Sequence, residues 1–303
     1  MLSLAYMNAV APSSETSHQE LVSFESLGDS IKGLLTLPEN RPVPPPVLII
    51  SHGAGEFKEN YIEMSEALAK RGIASLALDM HGHGDSGGVH YQIDMKEWTA
   101  DIRAAVDFIE TRADLDAKRI GALGLSSGGT AILEAGVQDQ RIKALIPLDA
   151  TIMDTLPVAI SVLMKFLSVL GSLKRKLTGK DIRISLVSML KDLELASDPE
   201  INARLRQDPG KLKAFMAFPL PGAKQAFIVD TIKRVHLIKQ PTLVIWGAED
   251  KLDPISTGEC LYNTLTCEKA LEIVAGNGHV GHLDRNRHEV FELAARWLLK
   301  HLP

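Results

Sequence analysis

The sequence has only two cysteines, Cys260 and Cys267, and no Cys-x-x-Cys pair. That excludes a disulfide framework, a zinc ribbon and a dithiol redox site, and it makes a reducing, cytoplasmic setting the default. No uncharged apolar run reaches the roughly 20 residues that a membrane-spanning helix needs. No long basic run is present either: 33 Lys and Arg against 38 Asp and Glu give a formal net charge of −5. Such a balance excludes a general nucleic-acid binder and gives no reason for steering toward strongly acidic substrates. There is no Gly-x-x-x-x-Gly-Lys phosphate loop, no internal repeat and no low-complexity segment. The first residues are apolar but lack the basic start and full apolar core of a secretory signal, so 1–19 reads as a mobile leader or a weak strand.

What is present is the composition of a folded chain. Of 303 residues, 45% are hydrophobic and 23% charged, enough for one large domain or two ordinary ones. Between residues 20 and 148 short apolar runs alternate with helical patterns. Glu20–Ser26 and Ile31–Leu37 read as an antiparallel pair, and the proline-rich stretch Asn40–Pro46 as a surface turn. Pro46–Ser51, Ile73–Asp79, Arg119–Leu125 and Lys143–Leu148 are continuous apolar strands, as expected when both faces of a sheet are covered. Helical patterns fall between them, near Asn60–Arg71, Asp94–Thr111 and Ser127–Gly136. This rhythm predicts an α/β fold with a mostly parallel sheet flanked by helices.

The rhythm stops at 149–241. Leu156 to Leu170 carries Leu156, Ile160, Leu163, Phe166, Leu167 and Leu170 at helical spacing, with valines on its other faces. Such a helix is buried nearly all round, lines a pocket or touches lipid. A second pattern covers Asp181–Leu195, with Leu186, Met189, Leu190 and Leu193, and Asp198-Pro199 and Asp208-Pro209 punctuate two shorter ones. The segment 149–241 therefore reads as a helical cap inserted into a core of 20–148 and 242–303. The strand Thr242–Trp246 resumes the core, followed by a helix near Ser256–Leu265, the strand Ala270–Val274 and a helix near His288–Leu302.

Gly124-Leu-Ser-Ser-Gly128 fits Gly-x-Ser-x-Gly between a predicted strand and a predicted helix, the context in which such a serine is exposed on a strained turn. A serine nucleophile needs a base, and the base needs an orienting acid. Asp250 follows the strand Thr242–Trp246 directly, at the end of the strand where sites on open α/β sheets are built. Asp253 is its main competitor and Asp149 a weaker one. His279, in Gly276-Asn-Gly-His279 after the last strand, is the candidate base, with His282 close behind. His288 and His301 read as surface residues of the last helix. Ser51-His-Gly-Ala-Gly55 follows another strand, and its small residues leave backbone N–H groups free to meet an oxyanion. Ala54 and Ser127 are the candidate donors, with His52 supporting the loop. Gly82-His-Gly-Asp-Ser-Gly87 matches G-x-G-x-x-G, but no helix begins where a dinucleotide would need one. His81 and His83 lack an evident third zinc ligand.

These motifs resemble the α/β-hydrolase superfamily, and within it the monoacylglycerol lipase and lysophospholipase branch that is often labelled serine aminopeptidase-like. The resemblance runs from about residue 46 onward and rests on His52-Gly-Ala-Gly-Glu56, Asp79-Met-His-Gly-His-Gly-Asp-Ser86, Gly124–Gly128, Gly247-Ala-Glu-Asp250 and Gly278-His279. The second of these also resembles bacterial feruloyl and cinnamoyl esterases. The elbow departs from the lipases at Ser127, where they commonly carry methionine or glutamine, and the cap is the least alike. The resemblance implies Ser126, Asp250 and His279 as a triad, Ala54 and Ser127 N–H as the oxyanion hole, and neither metal nor organic cofactor.

The sequence therefore reads as a serine hydrolase that cleaves carboxylic esters through an acyl-enzyme. Its small-molecule substrate carries a medium acyl chain or resembles a monoglyceride, and the cap helix Leu156–Leu170 either roofs the acyl pocket or packs the cap onto the sheet. Phe215, Phe218 and Phe227 are placed at that pocket or its rim. Transient membrane contact through the cap, beside Lys174-Arg-Lys176, belongs to the same reading. Thioesters, peptides and carbon–carbon bonds are alternatives for the same machinery, and a non-catalytic binding module is the alternative from another class.

Overall fold

The computed structural model describes residues 17–39, 43–154, 156–187 and 194–303. The expected leader falls outside these residues up to position 16, as do Thr155 and, in the second cap pattern, Met189, Leu190 and Leu193. Among the described residues eight strands form one sheet: β1 Ser17–Ser26, β2 Asp29–Pro38, β3 Val47–Ser51, β4 Ala74–Asp79, β5 Ile120–Leu125, β6 Ile142–Leu148, β9 Thr242–Gly247 and β10 Lys269–Val274. Their order is β1-β2-β4-β3-β5-β6-β9-β10. Only β2 runs against its neighbours; the ladders from β4 to β10 are parallel. Every residue of β3, β4 and β5 is buried, which is why these strands read as unbroken apolar runs.

Helices cover both faces. On one side lie α2 Met95–Glu110, α3 Ser127–Gln138 and α8 Ile255–Thr264, with Trp98, Ile102, Ile132 and Leu261 in one apolar cluster. On the other lie α1 Ile62–Ala69 and α9 Arg287–His301, with Met64, Leu68, Phe291 and Leu298 in a second. The α2 start is set by Asp94, whose carboxylate accepts from the Lys96 N–H at 2.9 Å. His288 is exposed as expected; His301 is not a surface residue, since its side chain packs against the Trp297 ring at 4.1 Å.

The excursion between β6 and β9 contains α4 Val158–Thr178, α5 Pro199–Gln207, α6 Pro209–Met216 and α7 Leu220–Phe227. Among its described residues the helices are joined by turns and accompanied by one short antiparallel pair, β7 Arg183–Ile184 with β8 Phe218–Pro219. The Asp-Pro pairs start α5 and α6: Asp198 and Asp208 cap with their carboxylates, and Pro199 and Pro209 occupy first-turn positions that need no N–H. The helix α4 is the surprise. Its buried residues are Ser161, Ser168 and Gly171, and Gly171 sits against Pro221 of α7. Val158, Val162, Leu163, Phe166, Val169, Leu173 and Leu177 face outward, at 50% exposure or more. The small residues point in and the large apolar ones point out, so near-complete burial does not hold for this helix.

Candidate active site

Parallel register brings the motifs to one edge. Ser51 at the end of β3 pairs with Gly124 of β5, Leu148 of β6 with Ile245 of β9, and Gly247 of β9 with Val274 of β10. The loops that follow these strands carry His52, Ser126, Asp149, Asp250 and His279. All five therefore emerge at the carboxyl ends of neighbouring strands, where open α/β sheets build sites.

Ser126 joins β5 to α3 with φ 52° and ψ −119°, and its N–H donates to the Leu148 carbonyl at 3.1 Å. A non-glycine residue in the left-handed region costs on the order of 1–3 kcal/mol and persists only when its surroundings hold it there. The flanking glycines make the turn passable. A Cβ at Gly124 would lie 2.2 Å from the Gly128 carbonyl oxygen, and one at Gly128 would lie 2.3 Å from that of Ser51. The neighbouring loop after β3 is held by His52. The Met80 N–H donates to its Nε2 at 3.1 Å, and its Nδ1 donates to the Gly53 carbonyl at 2.8 Å. Among the described residues the N–H groups of Ala54 and Ser127 donate to no protein acceptor.

Of the three candidate carboxylates, Asp250 contacts the histidine directly. Its Oδ2 accepts from His279 Nδ1 at 2.8 Å, while its Oδ1 accepts from the Leu252 and Asp253 N–H groups at 2.8 and 3.0 Å. Asp253 Oδ2 stands 4.0 Å from the same Nδ1 and accepts from the Thr151 hydroxyl at 2.9 Å. Asp149 instead fastens two strand ends, its Oδ1 accepting from the Gly247 N–H at 2.7 Å. Burial, reinforced by Asp250, pushes Asp149 well above the usual carboxylate range. Ser126 Oγ lies 3.4 Å from Thr151 Oγ1. His282 sits apart, stacked on the Tyr61 ring at 4.3 Å with Nε2 3.7 Å from Glu56 Oε2, and burial pushes it down to about 4.

Burial alone would lower the His279 imidazole, but the carboxylates of Asp250, Asp253 and Asp149 outweigh it and push the pKa up to about 9. A general base acts only when neutral, so activity that depends on His279 is expected to rise with pH through an acid limb near 9. A kcat/KM profile from pH 6 to 10 checks this; a plateau already reached at pH 6.5 would contradict it. The sign for stability is the opposite. The charged imidazole's contribution is fully present below about 6.5, the unfolded value, and is lost as pH rises through about 9.

A cavity of about 60 Å³ opens over Ser126 and His279. Leu195, Phe215, Ala226 and Phe227 from the 149–241 segment wall it, and none of the residues of α4 does. Phe215 and Phe227 are thus where the sequence placed them. Phe218 is not: it is buried beside Phe215, ring centroids 6.1 Å apart.

The family described as serine aminopeptidase, S33, matches residues 43–286, most of the chain. The chain belongs to that family. It is an α/β-hydrolase of the monoacylglycerol lipase-like branch. A monoacylglycerol lipase from Mycolicibacterium smegmatis is 27% identical over 266 residues, covering 86% of this chain and 90% of the relative. A hypothetical protein from Pseudomonas aeruginosa superposes with a TM-score of 0.80 at 23% identity, covering 96% of each chain. A soluble variant of the monoglyceride lipase from Saccharomyces cerevisiae, solved with a substrate analogue, superposes at 0.73 with 17% identity, covering 97% of this chain and 99% of that one.

Around this cavity the structure also places residues that sequence reasoning passed over. Thr151, from the β6 loop, links Ser126 to Asp253. Lys211, on α6, is buried in the cavity wall with Nζ 3.6 Å from Glu56 Oε1. Nothing in a helical pattern distinguishes such a lysine from a surface one. The Gly82–Gly87 string has a packing reason. The loop wraps the buried Asp79 carboxylate, which accepts from Lys58 Nζ at 2.6 Å and the Asp85 N–H at 2.9 Å, and a Cβ at Gly84 would strike it at 2.0 Å. His81 is taken by Asp101 at 2.5 Å and His83 by the His81 carbonyl at 3.1 Å.

Proposed function

We propose that this chain is a serine hydrolase of carboxylic esters, with Ser126, His279 and Asp250 as its triad. The observation that carries the reading is the His279 Nδ1 to Asp250 Oδ2 bond at 2.8 Å beside a serine held at φ 52° over the same cavity. The bond leaves Nε2 as the proton acceptor. Ser126 attacks the ester carbonyl, His279 takes its proton and returns it to the leaving alcohol, and Asp250 stabilises the imidazolium. The Ala54 and Ser127 N–H groups receive the oxyanion; losing one such donor costs roughly 3–4 kcal/mol of transition-state stabilisation. Water activated by His279 then releases the acid. Segment 149–241 acts as the cap that closes this site. The likeness to monoacylglycerol and monoglyceride lipases supports an ester substrate.

The cavity narrows the acyl group. At about 60 Å³ it is far below the roughly 300 Å³ at which ligand-sized pockets begin, which favours short acyl chains over the medium ones expected from the apolar cap sequence. A p-nitrophenyl ester series from acetate to palmitate tests both points. Activity peaking at acetate to butyrate supports the proposal. A folded protein inactive on every length removes it, and passes the site to a thioester, peptide or carbon–carbon substrate, or to a binding role.

Two free cysteines fit a reducing, cytoplasmic setting. Among the described residues no helix is long and apolar enough to cross a membrane. The outward apolar face of α4, flanked by Lys165, Lys174 and Lys176, supports transient contact with an anionic lipid surface. Cosedimentation with phosphatidylglycerol vesicles is expected, and Phe166→Asp is expected to reduce it several-fold. Equal binding by both proteins counts against the contact.

A further inference from the structure

The wall of the cavity next to the nucleophile is not apolar. Asp253 lines it, 2% exposed, in the company of Leu252 and Val280. One oxygen of its carboxyl group, Oδ2, is held by the Thr151 hydroxyl at 2.9 Å. The other, Oδ1, has no hydrogen-bond partner among the described residues, while the backbone of Asp253 is occupied on both sides: its N–H by Asp250 Oδ1 and its carbonyl by Trp246 Nε1 at 2.8 Å. The triad has no need of this group, because Asp250 already holds Nδ1 of His279. A leucine would pack a wall made of Leu252 and Val280 without the cost of burying a carboxyl group. Burial does push Asp253 upward, with His279 opposing and Asp250 adding to it. A carboxyl group in the lining of the cavity, with one oxygen bonded to no protein group among the described residues, is suited to a ligand group that donates to it.

We propose that Asp253, positioned by Thr151, is a specificity-determining residue that accepts a hydrogen bond from a hydroxyl group on the acyl part of the substrate, so that the preferred substrates are short hydroxyacyl esters. The reach is right. Thr151 Oγ1 lies 3.4 Å from Ser126 Oγ and 2.9 Å from Asp253 Oδ2, so the carboxyl group stands no more than two hydrogen-bond lengths from the attacking oxygen. A hydroxyl on the second or third carbon of an acyl group bound to Ser126 falls within that distance. The small cavity favours a short acyl chain. A hydroxyl-binding site rejects an analogue that lacks the hydroxyl far more strongly than an apolar pocket rejects a longer chain, because its own polar group is then left unpaired.

This inference rests on the ester-hydrolase reading, and the experiment separates the two. The kcat/KM values of p-nitrophenyl butyrate and of each enantiomer of p-nitrophenyl 3-hydroxybutyrate are measured for the wild type, Asp253→Asn and Asp253→Leu, with fluorophosphonate labelling of Ser126 in parallel. The wild type is expected to favour one hydroxy enantiomer by about tenfold or more, roughly one good hydrogen bond. Asp253→Leu is expected to bring the ratio to about one or below, and the nearly isosteric Asp253→Asn, which still offers an amide oxygen, to retain part of it. A wild-type ratio near one, or a ratio that both active variants keep, overturns the role of Asp253 while leaving the ester hydrolase standing. A wild type that is neither labelled nor active on any of these esters removes the ester-hydrolase reading and this inference with it.

Discussion

Ser126→Ala is expected to lower kcat on a short p-nitrophenyl ester by roughly 10⁴-fold or more while the protein stays folded. Removing a serine nucleophile leaves only the catalysis that binding and an oxyanion hole provide on their own. The fold should tolerate the change well. Ser126 Oγ makes one long contact, 3.4 Å to Thr151, and the backbone bonds that shape the elbow, from the Ser126 N–H to Leu148 and from the Thr130 N–H to the Ser126 carbonyl, do not involve the side chain. Any change in thermal stability should be a gain, since alanine sheds a polar atom from a buried site. Residual activity within tenfold of the wild type would mean that the nucleophile lies elsewhere. Thermal denaturation of both proteins, run beside the kinetics, separates a lost nucleophile from a lost fold.

Asp250→Asn is expected to reduce kcat by about 10⁴-fold, because the amide no longer selects the tautomer in which Nε2 is free to accept a proton. The effect should appear in kcat more than in KM, since Asp250 is not among the cavity-lining residues. Asp253→Asn makes the informative comparison. It removes a negative charge 4.0 Å from His279 Nδ1 but leaves the Asp250 bond in place. The acid limb of the pH profile should therefore move down from its wild-type position, because one of the three carboxylates that raise the imidazole has been neutralised. If Asp253→Asn instead shows the 10⁴-fold loss and Asp250→Asn does not, the acid has been assigned to the wrong member of the pair. Profiles measured on one uncharged ester keep substrate ionisation out of the comparison.

The competition between Asp250 and Asp253 shows how far residue types and spacing reach. Both follow β9 within one loop, and chain order alone favours neither. Position after the strand pointed to Asp250, and in the fold it is Asp250 whose Oδ2 stands 2.8 Å from His279 Nδ1. For Asp149 the sequence offered a third carboxylate after β6, and only the fold shows its oxygen turned onto the Gly247 N–H. His282 was a competitor for the same reason, three residues from His279, until the stack on Tyr61 placed it away from Asp250.

The sequence by itself determined the sheet, the helices on its two faces, the elbow at Ser126 and the loops that bring Ala54, Asp250 and His279 to its edge. These features are local or nearly so. An unbroken apolar run reports a strand covered on both faces, and a glycine reports a close approach, whatever lies far away in the chain. Tertiary structure alone decided which face α4 turns inward, because the apolar-inside rule assumes that the core takes the larger side chains. Here Gly171 sits against Pro221 of α7 and the Ser161 hydroxyl turns onto the Asp154 carboxylate, while the bulky residues are left outside. It also decided that Lys211, Thr151 and Asp253, from three separate segments, share one small cavity with Ser126. Their meeting depends on distances across the fold, which no periodicity or short motif encodes.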